Sequence, residues 1–158
     1  MLYGTVLLIH SLLRWVVLVA GMYALYAAFR GVLQGSSFSD VQNKAGRWFV
    51  ASLHANLLLG LLLYAVLSPF TVPAFSDMAG AMKTSVLRFF VVEHPTGMLL
   101  GTVLATVGQV KVKRAEDASQ KHRRTLWFFG TALILILVSI PWPFYPAGRP
   151  LFHLPFGG

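Results

Sequence analysis

The chain contains no cysteine, which excludes disulfides, thiolate zinc sites, iron–sulfur clusters and c-type haem attachment. Charge is scarce: 11% of its 158 residues are charged, against roughly 25% in an ordinary soluble domain, so water is not its main solvent. Acid is scarcest, with five Asp and Glu against thirteen Lys and Arg. That surplus excludes a nucleic-acid surface by its distribution. The basic residues lie in short loops between apolar runs, where positive charge sets membrane orientation. No HExxH spacing, Gly-rich phosphate loop, nucleophile elbow or catalytic dyad occurs. Enzyme activity stays open.

What is present is apolar: 56% of residues are hydrophobic and the mean hydropathy is +0.68. A helix needs about 20 apolar residues to cross the hydrocarbon core. The pattern predicts four, over residues 2–29, 46–67, 86–110 and 120–140. Pro141, Pro143 and Pro146 stop the last and begin an extracytoplasmic tail over 141–158. The expected fold is an all-α integral membrane protein, a four-transmembrane-helix antiparallel bundle in a single domain. The first and third loops carry Arg30, Lys44 and Arg47, and Lys111, Lys113, Arg114, Lys121, Arg123 and Arg124. The positive-inside rule makes their face cytoplasmic and leaves both termini outside. The first run lacks a basic leader and is too long for a signal-peptide core, so it reads as a retained helix. Trp142, Phe144 and Tyr145 read as an aromatic anchor at the outer interface, and residues 75–84 as a short amphipathic piece.

Ionisable residues inside a membrane helix are costly and mark function. Each predicted helix holds one histidine: His10, His54, His94 and His122; His153 lies in the tail and reads as a solvated loop residue. His10 and His94 sit about 17–20 residues from the cytoplasmic ends of their helices, roughly 25–30 Å at the helical rise. His54 and His122 lie nearer the cytoplasmic side. The four sort into an outer pair, His10 with His94, and a less well matched inner pair, His54 with His122. Two such pairs suit one or two bis-histidine haems carrying electrons within or across the bilayer, which makes electron transfer a stronger expectation than a self-contained enzyme. Gly97 and Gly101 recur on the His94 side of the third helix, where they serve either haem clearance or close helix packing. Arg14, one turn from His10, is expected to meet Glu93 or a ligand anion such as a haem propionate. Arg47 and Arg88 are further propionate candidates. Snorkelling explains Arg88 equally well, and Lys121-His122-Arg123-Arg124 also reads as an interfacial cationic cluster.

The stretches HSLLRW from His10, RFFVVEHPTGM from Arg88, KVKRAEDASQKHRR from Lys111 and LILILVSIPWPF from Leu133 resemble a family of small bacterial membrane proteins, found mainly in Bacteroidota and relatives and labelled "cytochrome B". The resemblance covers nearly the whole chain. It implies a multi-pass protein of the bacterial inner membrane, with haem b as cofactor and His10, His54, His94 and His122 as the matching positions. The partners expected are the lipid bilayer, quinone or quinol, and a larger respiratory or membrane complex. Two other readings stay open: a non-haem structural or accessory subunit whose histidines bond between helices, and a proton or metal-ion pathway using Arg14, Glu93 and the histidines.

Overall fold

A computed structural model describes residues 2–151, and every regular element among them is helical. The order is α1 (Leu2–Gln34), α2 (Asp40–Leu62), α3 (Thr71–Ala74), α4 (Met78–Lys83), α5 (Ser85–Arg88), α6 (His94–Lys113) and α7 (Ala118–Ser139). A π-helical turn, Leu63–Leu67, extends α2, and a second, Phe89–Glu93, joins α5 to α6. Three continuous helical stretches, Leu2–Gln34, Asp40–Leu67 and Ser85–Lys113, are long and apolar enough to cross a membrane.

The helix ends follow from local chemistry. At α1, Gly35 takes φ +58 and the Ser36 N–H returns to the Gly31 carbonyl, the glycine-terminated stop that satisfies a terminal carbonyl. Four residues later Ser39 and Gln42 form a reciprocal capping box: the Gln42 N–H donates to Ser39 Oγ, and the Ser39 N–H to Gln42 Oε1. α2 therefore begins at Asp40, well before the expected residue 46. Asp117 caps α7 by accepting from the Gln120 N–H at 2.7 Å. In the α2–α6 connection, α4 occupies part of the expected amphipathic piece over 75–84.

The four long helices pack in a ring, with α1 against α2 and α7, and α6 against the same two. Neighbours run antiparallel. His10, early in α1, bonds to Asn56, late in α2, while Gln42, early in α2, donates to Ala27 near the end of α1. Phe49 and Phe129 meet edge-on at 5.1 Å in the centre, with Val17, Leu53, Leu133 and Ile136 buried around them. A Cβ at Gly101 would stand 2.9 Å from Ile136 Cγ1. One at Gly97 would overlap the Ser139 side chain, and one at Gly108 the Phe128 side chain, so these glycines set the α6–α7 approach. Outward faces stay apolar: Val19, Leu58, Val103 and Ile134 each expose half or more of their surface.

Prolines shape the end of the ring where α6 begins and α7 stops. A proline offers no N–H to the carbonyl four residues back. Pro95 so deprives Val91 and Pro141 deprives Leu137, while Ser139 is left open because α7 ends there and Ile140 is extended. Each of these three carbonyls accepts from a side chain instead: Tyr64 Oη on Val91 at 3.0 Å, Trp142 Nε1 on Leu137 at 2.8 Å, and His94 Nδ1 on Ser139 at 2.7 Å. Tyr64's own carbonyl is in the same position. The Ser68 N–H goes to Leu63, Pro69 follows, and Thr71 Oγ1 donates to Tyr64 O. Where water is scarce, this side-chain repair is what lets irregular backbone persist.

Candidate functional site

Those repairs surround a cavity of about 320 Å³ between α1, α2 and α6, closed at one side by the end of α7 and the segment after it. His10 and His94 both line it, their ring centroids 6.4 Å apart and their planes at 75°. The Nδ1–H of His10 donates to the Asn56 carbonyl at 3.1 Å, and that of His94 to the Ser139 carbonyl. A carbonyl only accepts, so both rings carry their proton on Nδ1 and keep a free lone pair on Nε2. Fixing the tautomer through a backbone carbonyl is the usual way of orienting a metal-binding imidazole. Metal–imidazole bonds run about 2 Å, so two rings facing one metal from opposite sides have centroids roughly 6 Å apart. The pair has that separation.

Gly60 is the close neighbour that admits His10, since a Cβ there would lie 3.1 Å from the ring's Cε1. Arg14, one turn further along α1, is buried and lines the same cavity. One of its terminal nitrogens donates to the Leu151 carbonyl at 2.6 Å, and its Nε has no partner among the described residues. Arg149 enters from the other side, its guanidinium over the rings of Phe70 and Phe90 at 4.7 and 4.9 Å. No Asp or Glu lines the cavity among the described residues. Two uncompensated guanidiniums beside two lone-pair imidazoles favour an anionic ligand that also offers a metal. Among the described residues no three His, Cys, Asp or Glu side chains converge on one point. Two imidazoles alone leave the rest of a metal's coordination to be supplied by the ligand that carries it.

The remaining expected site residues lie elsewhere. Glu93 does not meet Arg14; it pairs with Arg88 at 2.8 Å, both side chains about half exposed. The π turn explains this partner, because its i to i+5 spacing puts residues 88 and 93 on one side. Gly97 and Gly101 face α7 and are absent from the cavity wall. Arg47 is exposed on α2 and lies outside the cavity. His54 and His122 are not brought together. His122 is buried at the far end, its Nε2–H on the Ser36 carbonyl at 3.1 Å and its ring against Phe38 and Gly31. His54 is exposed on the outer side of α2, bonded to Thr106 at 3.2 Å. His153 lies outside the described residues. Arg149, Tyr64, Asn56 and Thr71 are cavity residues that sequence reasoning passed over. The signal for two of the repairs was present, in prolines four residues after Val91 and Leu137.

No known protein family, curated protein or solved structure matches the chain.

Proposed function

We propose that the chain is a b-type cytochrome of the membrane, in which His10 and His94 hold one haem b. The observation that carries this reading is the neighbouring histidine pair on one cavity wall, each Nδ1 tied to a backbone carbonyl and each Nε2 free, at a centroid separation of 6.4 Å. Bound there, haem b supplies reversible one-electron chemistry at its iron. Arg14 and Arg149 would neutralise its propionates, and the apolar wall of Leu7, Leu53, Met98 and Ile136 would exclude water. The separation of His54 from His122 favours one haem over two. A cavity of about 320 Å³ speaks against the close-packed accessory subunit, and the outward pairing of Glu93 with Arg88, off the cavity wall, against the proton pathway.

In this reading α7 is the fourth crossing, supported by the lipid-like exposure of Ile134 and Val138 on its outer side. The basic loops face the cytoplasm of a bacterial inner membrane and both termini lie outside. The donor and acceptor in this reading are quinol or a larger respiratory complex.

The test is a reduced-minus-oxidised visible spectrum with a pyridine haemochrome assay on the purified full chain. The expected result is a b-type band at about one haem per chain, as a single bis-histidine site requires. His10→Ala and His94→Ala each remove it, and Arg47→Ala leaves it. A colourless protein from haem-replete cells refutes the reading.

A further inference from the structure

His54 presents a polar group where the outer surface is otherwise apolar. It stands two turns beyond Arg47 and Trp48, about 10 Å along α2. Around it on α2 and α6, Leu58, Leu61, Leu99, Val103 and Val107 are exposed. Its protonation is fixed by a chain of bonds. Thr106 Oγ1 donates its one proton to the Thr102 carbonyl at 2.7 Å, so toward His54 Nε2 it can only accept. Nε2 therefore carries the ring proton. Nδ1 is a bare acceptor with no partner among the described residues, on a residue facing outward. Hydrocarbon supplies no donor, and an unpaired polar atom there is costly.

We infer that the α2–α6 face around His54 binds a lipid-soluble quinol, whose hydroxyl donates to His54 Nδ1. The donor must be a hydroxyl or N–H carried on an apolar body. Glycerolipid hydroxyls are held at the interface by their phosphates, about two helical turns away. A second copy of the chain fits badly. The side chains exposed around His54 are apolar and offer no donor, and a two-fold contact centred there would set two bare acceptors against each other. A quinol has the missing donor and a tail that dissolves in the bilayer. Its oxidised form has only acceptors and does not complement Nδ1. The inference rests on the membrane placement of α2 and α6 and is independent of haem at His10 and His94.

The experiment uses the full chain, ¹⁵N-labelled at histidine, in phospholipid nanodiscs kept anaerobic with dithionite. A short-chain benzoquinol is titrated and the His54 imidazole resonances are followed; the matching benzoquinone is titrated without reductant. Haem content is measured on the same samples, so a failure here is distinct from a failure at the histidine pair. Quinol is expected to shift the Nδ1 resonance of His54 and to bind about tenfold more tightly than quinone, the value of one hydrogen bond with its acceptor left otherwise unpaired. His54→Leu weakens quinol by about fivefold or more, and His54→Asn, which returns an acceptor oxygen, recovers most of it. Equal binding of quinol and quinone by the unaltered protein overturns the proposal, whether or not a variant folds. So does unchanged quinol affinity in His54→Leu, or an Nδ1 shift that follows protein concentration without quinol, which assigns the face to a second copy.

Discussion

Replacing Tyr64 by Phe tests whether the proline-freed carbonyls are held as described. The phenol hydroxyl donates to Val91 O at 3.0 Å, while the ring packs edge-on against Phe75 with centroids 5.2 Å apart. Tyr64→Phe keeps the ring, so no cavity opens and the lost hydroxyl is the only large change. Leaving a shielded carbonyl short of its donor costs about 1–3 kcal/mol. Tyr64 is half-buried, which places the expected loss near the middle, at about 1.5 kcal/mol. The second perturbation is Pro95→Ala, which restores an N–H four residues after Val91. In that background Tyr64→Phe is expected to cost less than about 0.5 kcal/mol, a coupling of about 1 kcal/mol between residues 31 positions apart in the chain. Reversible unfolding in mixed micelles, followed by helical circular dichroism for the four proteins, gives the cycle. An equal cost of Tyr64→Phe with proline or alanine at position 95 refutes the argument, because the hydroxyl would then not be substituting for the missing amide.

Two other substitutions separate backbone contact from surface charge. Gly101→Val puts a branched side chain 2.9 Å from Ile136 Cγ1 and 3.3 Å from the Ala132 carbonyl oxygen; the backbone atom cannot move aside, and a loss of about 1–3 kcal/mol in the same unfolding assay is expected. Arg88→Ala removes an ion pair whose two side chains are each 48% exposed, and the melting temperature should change by less than the equivalent of about 0.5 kcal/mol.

The long apolar runs made three of the long helices legible from composition alone, because a helix of that length and hydropathy has few other solutions. Their ends were less legible. The start of α2 is set by Ser39 and Gln42, polar residues that a search for apolar runs passes over. The six residues so missed are nearly two turns, enough to misjudge the depth of His54 against His122. The nearness of His10 and His94 was legible from depth, since both stand near the starts of the first and third long helices, which run parallel when each is antiparallel to the helix between them. The company of Glu93 was not, because α-helical spacing separates it from Arg88 and only the π turn unites them. Arg149 was illegible for a different reason: its place depends on how the chain turns after Pro141, which periodicity does not describe.

The carbonyls that orient the two cavity histidines belong to other helices. His10 is held by Asn56 and His94 by Ser139, 46 and 45 residues further along the chain. A ribosome releases these elements in order, so the first hairpin can set His10 while His94 is still unsynthesised. His94 itself stays free to rotate until α7 has been made and has docked. The finished pair is therefore a late product of biogenesis. A chain cut short before Ser139 has both imidazoles and lacks the partner that aims one of them, and whatever the cavity holds is selected by the completed fold rather than by the nascent chain.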